Sequence, residues 1–214
     1  MKVYTLKENK KVGIIGGTFN PIHLGHLILA EHAYEEYHLD EILFIPTGIS
    51  YFKDPGTVLD TKQRITLIGD AIEKNPHFAL SKIETERPGN SYTYQTLEEL
   101  KEKNATTSYY LILGADSIFQ IELWKNPEII MRDAVILAAA RSGQSIHELE
   151  EKINFLKNKY NADIRLLTFP FIDISSTDIR KRIQDGKSIR YMVEECTRDT
   201  IKKNHLYQTP HTSR

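Results

Sequence analysis

The chain lacks the features that mark secreted and membrane-spanning proteins. Its 214 residues contain one cysteine, Cys196, so no disulfide can form within the chain, as is typical of proteins from reducing compartments. No apolar run approaches the roughly 18 residues of a membrane-spanning helix, and residues 1–11 are polar and lysine-rich, unlike a signal peptide. We therefore expect a soluble, cytoplasmic protein that does not enter a membrane.

An excess of charge of either sign is also missing. The 28 Lys and Arg residues are balanced by 29 Asp and Glu residues, so the formal net charge is -1. Such a chain has no overall positive field with which to hold nucleic acid. A local basic site for a phosphorylated small molecule stays open, and so does assembly into a homo-oligomer.

Two common nucleotide-binding signatures are absent as well. The sequence has neither the Gly-x-x-x-x-Gly-Lys-Ser/Thr string of the Walker phosphate loop nor the Gly-x-Gly-x-x-Gly fingerprint of dinucleotide-binding domains. It also has no internal repeat and no low-complexity tract. The chain is therefore expected to be neither an ordinary NTPase nor an ordinary dehydrogenase.

What the chain does have is an alternation of short apolar runs with longer amphipathic segments. Strands are predicted at 12–15, 42–45, 77–83, 109–113, 135–139 and 164–167. Helices are predicted at 23–37, 60–74, 91–103, 146–160, 176–184 and about 195–203, with caps at Asp60 or Thr61 and at Ser175 or Ser176. The alternation favours an α/β fold, a doubly wound, mostly parallel, Rossmann-like sheet with helices on both faces.

The predicted sheet also indicates where a ligand would bind. We expect a single domain over 1–214, with its core at about 11–207 and a short flexible tail at 209–214. In such sheets ligands lie beyond the carboxyl ends of the strands, so chemistry is expected just after Ile15, Ile45 and Leu113 and near Phe169.

A segment that runs from Gly16 to Leu27 follows the first strand and opens the first helix. Gly16 and Gly17 let the backbone approach a phosphate closely, and the helix points its free amides at the same place. His23 and His26 are three residues apart, so on a helical turn they share one face. Two imidazoles beside an anion site suit the stabilisation of phosphate charge, and a metal site is the alternative.

A second segment, Ile174 to Arg180 with the sequence ISSTDIR, lies between a late strand and a helix. Its hydroxyl residues can cap the helix and donate hydrogen bonds to phosphate oxygens at the helix's positive end. Arg180, about one turn into the helix, can bind a phosphate through a charge-assisted fork. A plain helix cap with a surface arginine is the alternative.

Together the two segments resemble the nucleotidyltransferase superfamily that carries His-x-Gly-His and Ile-Ser-Ser-Thr-x-Ile-Arg motifs. Within it the chain is similar to the bacterial nicotinic acid mononucleotide adenylyltransferase family over roughly residues 11–207. Further matching stretches, in the same order, are Ser91-Tyr92-Thr93, Gly114-Ala115-Asp116, Trp124 and Asn204-His205-Leu206-Tyr207. The resemblance implies transfer of AMP from ATP to nicotinic acid mononucleotide, which forms nicotinic acid adenine dinucleotide (deamido-NAD) and pyrophosphate in NAD biosynthesis.

The resemblance also implies the residues of the ATP site. The turn that begins with Gly16 and Gly17 and runs to Pro21 is called the glycine turn. In the family, its Gly-Gly-Thr-Phe backbone, both motif histidines and the late hydroxyl-and-arginine segment contact the nucleotide and its phosphates. The matching positions are Gly16, Gly17, Thr18, Phe19, His23, His26, Ser176, Thr177 and Arg180. The expected catalytic residues are His26 at the α-phosphate, and His23 and Arg180 at the β- and γ-phosphates.

On the mononucleotide side, the family cradles the nicotinate ring and borders the sugars. The matching positions are Lys53, Tyr92, Thr93, Gly114, Asp116 and Trp124. An indole face suits stacking on a pyridine ring, and amides at a helix start suit a carboxylate. The family usually has Asp at the position of Asn20 and often Pro-Pro-His-Lys in place of Ser50-Tyr51-Phe52-Lys53. With Phe52 at the histidine's position, the choice between nicotinate and nicotinamide is left open.

We expect direct in-line displacement, in which the mononucleotide's 5′-phosphate attacks the α-phosphorus of ATP and pyrophosphate leaves. The attacking phosphate is already an anion and needs no general base, so catalysis reduces to alignment and charge stabilisation. Mg²⁺ is expected to arrive with ATP, held mostly by phosphates and water rather than by a metal site of the protein.

Three alternatives are kept. A pantetheine-phosphate or cytidylyl-type transferase of the same superfamily would lack the combination of Trp124 with Ser91-Tyr92-Thr93. A non-catalytic nucleotide sensor should show damage to the motif residues, all of which are present. A metal-dependent hydrolase that uses His23 and His26 as ligands would need further ligands, for which Asp116 is the clear candidate.

Overall fold

The computed structural model describes residues 10–48, 58–140, 146–168, 170 and 172–208. The strands are β1 (Lys11–Gly17), β2 (Glu41–Pro46), β3 (Phe78–Leu80), β4 (Ser108–Gly114), β5 (Val135–Ala139) and β6 (Ile164–Leu167). The helices are α1 (Leu24–Glu36), α2 (Thr61–Ile72), α3 (Thr93–Lys103), α4 (Ala115–Gln120), α5 (Pro127–Asp133), α6 (Ile146–Tyr160), α7 (Ser176–Gln184) and α8 (Glu195–Lys203). A turn of 3₁₀ helix, Ile121–Leu123, connects α4 to α5.

The six strands form one parallel sheet in the order β3-β2-β1-β4-β5-β6. The direction of the winding reverses between β1 and β4, which are neighbours in the sheet. The predicted Rossmann-like α/β fold is therefore confirmed, and the described strands are all parallel rather than mostly so. In a sheet of this kind, the crevice at the carboxyl ends of β1 and β4 is where ligands bind.

Side chains that alternate along the central strands enter two apolar cores, one on each face of the sheet. On β2, Ile42 and Phe44 belong to one core, which includes buried residues of α1, α2, α7 and α8. Leu43 and Ile45 belong to the other core, which includes buried residues of α3, α4, α5 and α6. Because both faces are covered, the strand is a continuous apolar run rather than an alternating one.

The predicted bounds of β5, α6, β6, α7 and α8 agree with the structure. Strand β3 is shorter than predicted, since its pairing with β2 covers only Phe78–Leu80. Helix α3 begins at Thr93 rather than at Ser91, because Tyr92 is extended and serves as the N-cap. Helices α4 and α5 were not predicted, because their 6 and 7 residues are too few to show a helical period.

Side-chain caps fix the starts of two helices near the site. The Asp60 carboxylate accepts a 2.9 Å hydrogen bond from the Gln63 amide at the start of α2. Ser175, rather than Ser176, caps α7 by accepting a 3.0 Å hydrogen bond from the Asp178 amide. Within the described ranges, no helix combines the length and apolarity needed to cross a bilayer. The predicted flexible tail at 209–214 and the predicted ligand position at Phe169 lie outside those ranges.

Candidate active site

A cavity of about 770 Å³ opens at the carboxyl ends of β1, β2 and β4. It lies at the edge of the sheet where the fold predicts ligand binding. Its lining includes Gly16, Gly17, Thr18, Thr47, Glu84, Ser91, Tyr92, Thr93, Thr96, Ser117, Leu123, Trp124 and Lys125. The structure thus brings together the glycine turn and the predicted ring-binding residues, which are far apart in the sequence.

The two motif histidines stack at the start of α1. His23 is the N-cap and is 6% exposed, and its ring lies 3.6 Å, centroid to centroid, from that of His26. The His23 amide donates a 3.3 Å hydrogen bond to Nδ1 of His26. An amide can only donate, so Nδ1 of His26 carries no proton and the neutral ring carries its proton on Nε2. The backbone thereby sets His26 up as an Nε2–H donor.

Gly25 leaves space for the histidine pair because it has no side chain. A Cβ atom at Gly25 would lie 3.1 Å from Nδ1 of His23 and 3.7 Å from the carbonyl oxygen of Ile174. Any larger residue would therefore press on the His23 ring. The same measurement shows that the first helix closely approaches the start of the late hydroxyl-rich segment.

The late segment contacts the glycine turn directly. The Ser176 hydroxyl donates a 2.8 Å hydrogen bond to the carbonyl oxygen of Pro21. The Arg180 guanidinium donates through Nη1 to the carbonyl oxygen of Asn20 at 2.8 Å and through Nη2 to Oγ1 of Thr177 at 3.3 Å. The predicted convergence of the two segments is therefore present in the fold.

Arg64 lies on the buried side of the turn. It is 2% exposed and donates to the carbonyl oxygens of Thr18 at 2.9 Å, Thr47 at 2.8 Å and Leu59 at 3.2 Å. Burial lowers the pKa of its guanidinium, but an arginine stays charged in proteins. One buried cation thus joins the loops that follow β1 and β2 to the start of α2.

The side of the cavity next to the start of α3 contains a buried carboxylate. Glu84 is 8% exposed and accepts a 2.8 Å hydrogen bond from the Thr96 hydroxyl. Burial raises the pKa of Glu84, and hydrogen bonds with Thr96 and Ser91 oppose that rise. The Ser91 hydroxyl oxygen also accepts a 3.0 Å hydrogen bond from the Gly48 amide. These contacts join the end of β2 to the start of α3.

Gly48 is required at that junction by close packing. A Cβ atom at Gly48 would lie 2.4 Å from the Glu84 carbonyl oxygen and 3.0 Å from Oγ of Ser91. The first of these distances is shorter than any tolerated contact with backbone. A residue with a side chain would therefore push Gly48 away from Glu84 and Ser91.

Trp124 forms the cavity wall that faces the start of α3, and it follows a 3₁₀ turn that is bound to α6. The preceding 3₁₀ turn contains Glu122, whose carboxylate accepts 2.6 Å hydrogen bonds from both Lys152 and Lys159 of α6. These lysines lower the pKa of Glu122 to about 2. On the α3 side, the Lys125 ammonium lies 4.6 Å from the centre of the Tyr92 ring. Both contacts restrain the segment that carries the indole.

Eight predicted residues in the described part of the chain do not line this cavity: His23, His26, Ser176, Thr177 and Arg180, which belong to the two motif segments described above, and Phe19, Gly114 and Asp116. The Phe19 ring is buried beneath the turn, where its centroid lies 5.0 Å from that of His26, so only its backbone can face a ligand. Gly114 caps α4 and Asp116 is exposed in its first turn, beside Ser117, which does line the cavity. Lys53 and Phe52 lie outside the described residues.

Sequence reasoning missed Arg64 and Glu84. Arg64 did leave a signal, because it falls on the apolar face of α2 with Leu67, Ile68 and Ile72. A charged residue at helical spacing among buried apolar ones indicates a buried charge with dedicated partners. Glu84 left no such signal, since it lies in irregular chain between β3 and α3.

Comparison with known proteins agrees with this geometry. The sequence model of the cytidylyltransferase-like family matches residues 14–182. A "probable nicotinate-nucleotide adenylyltransferase" of Lachnoclostridium phytofermentans is 46% identical over 198 residues, which cover 92% of this chain and 99% of the relative. A protein of the same description from Clostridium novyi is 38% identical over 199 residues, covering 93% and 100%.

Among solved structures, the fold is similar to that of the Plasmodium falciparum nicotinic acid mononucleotide adenylyltransferase complexed with NaAD. The TM-score is 0.77 at 21% identity, over 92% of this chain and 97% of that one. At this level of identity the likeness bears on the fold, and it supports the six-stranded parallel architecture.

Proposed function

This chain belongs to the cytidylyltransferase-like family and, within it, to the nicotinate-nucleotide adenylyltransferases, and from this we propose that it transfers AMP from ATP to nicotinic acid mononucleotide. The products are nicotinic acid adenine dinucleotide and pyrophosphate, in NAD biosynthesis. One observation in the structure carries the proposal. Ser176 and Arg180 are hydrogen-bonded to the Asn20-Pro21 turn, so two segments suited to phosphate meet beside a cavity with an aromatic wall.

We propose that the reaction is an in-line displacement at the α-phosphorus. An oxygen of the mononucleotide's 5′-phosphate forms the new P–O bond, and the bond from the α-phosphorus to the bridging oxygen of pyrophosphate breaks. His26 donates from Nε2 to the α-phosphate as negative charge builds there. His23 and Arg180, with the amides at the start of α1 and α7, hold the β- and γ-phosphates.

The mononucleotide's ring is proposed to bind in the cavity between α3 and Trp124. The indole offers a stacking face, and the amides of Thr93 and its neighbours at the start of α3 suit a carboxylate. Gly114 and Asp116 are proposed to border the sugars from the adjacent end of β4. Lys53 stays a prediction as a phosphate contact.

ATP is proposed to arrive as its Mg²⁺ complex, with the ion part of the substrate. Mg²⁺ commonly keeps phosphate and water ligands. In the part of the chain that the structure describes, no three His, Cys, Asp or Glu side chains are grouped to hold a metal. A cytoplasmic location also belongs to the proposal, supported by the single cysteine. Assembly into a homo-oligomer stays a prediction.

A pyrophosphate-release assay tests the function. Purified protein with ATP and Mg²⁺ would receive nicotinic acid mononucleotide, nicotinamide mononucleotide or phosphopantetheine in parallel reactions. We expect release with nicotinic acid mononucleotide and formation of the dinucleotide, identified by mass. Release with phosphopantetheine alone would contradict nicotinic acid mononucleotide as the acceptor substrate. No release with any of the three would contradict the proposed adenylyl transfer.

A further inference from the structure

The end of the described chain returns to the glycine turn. The Tyr207 hydroxyl donates a 3.0 Å hydrogen bond to Oδ1 of Asn20, 187 positions earlier in the sequence. Tyr207 has a positive φ of 64° and His205 a positive φ of 51°, which is unfavourable for residues other than glycine. Leu206 between them is buried, with 6% exposure. Such a conformation persists only where surrounding contacts hold it.

Asn20 is the residue at which four segments meet. It is 4% exposed, and its Oδ1 also accepts a 3.1 Å hydrogen bond from the Leu59 amide ahead of α2. Its carbonyl oxygen accepts the 2.8 Å hydrogen bond from Nη1 of Arg180 on α7. The side-chain carboxamide and the backbone carbonyl belong to the same residue. The hydrogen bonds that fix the Asn20 side chain therefore also fix the carbonyl oxygen that orients Arg180.

The hydroxyl also lies within the electrostatic field of two guanidinium groups, those of Arg180 and Arg64. Burial raises the pKa of Tyr207 despite these cations, so the phenol stays neutral and remains a donor. Asn20 is neutral too. The acceptors of Arg180 and Arg64 named above are carbonyl and hydroxyl oxygens, which orient a guanidinium without cancelling its charge.

We propose that Tyr207 is a positioning residue for ATP, whose hydroxyl fixes Asn20 and, through Asn20, the Arg180 guanidinium at the triphosphate site. The proposal rests on the adenylyltransferase function proposed above. It gives the C-terminal segment a part in substrate binding although the phenol need not touch the nucleotide.

The variant Tyr207→Phe removes the hydroxyl and keeps the ring. We expect the KM for ATP and the Kd of an α,β-methylene analogue of ATP, measured by calorimetry, to rise roughly fivefold, as for the loss of one hydrogen bond. The KM for nicotinic acid mononucleotide should stay within about twofold, because its proposed site lies across the cavity. Tyr191→Phe is the matched control, since Tyr191 is 81% exposed and should leave both constants unchanged.

A double-mutant cycle separates positioning from general packing. In an Asn20→Ala background, Tyr207→Phe should add little to the rise in the KM for ATP, because the shared hydrogen bond is already gone. Additive effects would overturn the route through Asn20.

Two further results would overturn the proposal. One is a folded Tyr207→Phe variant with unchanged KM for ATP and unchanged analogue affinity. The other is a lowered melting temperature with equal changes in both substrates' KM values, which indicates general destabilisation. If the wild type binds the analogue but forms no dinucleotide, the proposed function fails, and the calorimetric comparison still tests Tyr207.

Discussion

The phosphate half and the mononucleotide half of the candidate site are built differently. In the phosphate half, His23 and His26 are neighbours on one helical turn, and Ser176 and Arg180 lie on another. In the mononucleotide half, the cavity wall draws on the ends of three strands, the start of α3 and the chain after α4. The first half needs two segments to meet, whereas the second needs at least five.

The charges of the two halves differ as well. Around the glycine turn, Arg64 and Arg180 donate to carbonyl and hydroxyl oxygens. Across the cavity, a buried carboxylate, Glu84, holds the start of α3 through Thr96 and Ser91. A phosphate can be bound by a few donors on one side, because its charge is compact, whereas a flat ring needs walls on two faces. The separation predicts that variants in the two halves affect different substrates.

The largest effect is expected in the phosphate half. His26→Ala removes the Nε2–H donor proposed for the α-phosphate, and kcat should fall by roughly 10²-fold or more. Steady-state pyrophosphate release measures the change, and thermal unfolding checks the fold. His32→Ala, an imidazole loss on the same helix, should retain activity. A folded His26→Ala enzyme with nearly full turnover would end the assignment.

Arg64→Lys tests whether the hydrogen bonds of this one arginine stabilise both halves of the site. Lysine keeps the charge but cannot bridge the carbonyls of Thr18, Thr47 and Leu59, so buried acceptors lose their donors. We expect about 2 kcal/mol of destabilisation in denaturant unfolding and roughly tenfold lower kcat/KM for both substrates. Arg198→Lys on the surface of α8 is the control. A change confined to one substrate would show that Arg64 serves only one half.

Trp124→Ala should affect the mononucleotide half alone. Loss of the stacking face should raise the KM for nicotinic acid mononucleotide by roughly tenfold and leave the KM for ATP nearly unchanged. Because Trp124 is the chain's single tryptophan, its fluorescence in the wild type should also respond to the mononucleotide. Tyr191→Ala, the loss of an 81% exposed ring between α7 and α8, is the control. Equal changes in both KM values would contradict the separation.

The smallest effect concerns pH and Glu84. Burial raises the pKa of this carboxyl in the folded state above its ordinary value of 4.5, so the fold favours the protonated form. The stability contributed by that proton is complete below pH 4.5 and is lost as pH rises through the folded-state pKa. Glu84→Gln should remove this part of the pH dependence of the unfolding free energy. The exposed Glu86→Gln should keep it, and an unchanged profile in Glu84→Gln would assign the dependence to another group.

The sequence predicted well those features that are made by residues close together along the chain. Long periodic elements such as α6 have the predicted bounds, because their patterns repeat often enough to be read, and the apolar strands β5 and β6 also have the predicted bounds. The short helices α4 and α5 escaped for the opposite reason. The motif segments around His23 and Arg180 were predicted as ligand-binding because each unites several suitable groups within one turn.

Residues whose partners are distant were beyond the reach of the sequence. Nothing near Tyr207 indicates that its hydroxyl meets Asn20, and nothing near Glu84 indicates a buried carboxylate on a cavity wall. Asn20 itself stood out in the sequence only as a position at which the family usually has Asp. Its contacts with Leu59, Arg180 and Tyr207 exist because three separate segments fold onto the turn.

By itself, the sequence determined the order of the six strands and of the six longer helices, the parallel sheet and the two phosphate-suited segments, since these depend on local period and on neighbouring side chains. The tertiary structure alone decided the burial of Arg64 beneath the turn, the burial of Glu84 on the cavity wall and the hydrogen bond from Tyr207 to Asn20. Those features arise from contacts between residues that are separated along the chain, whose positions are fixed only when the whole sheet and its helices have packed.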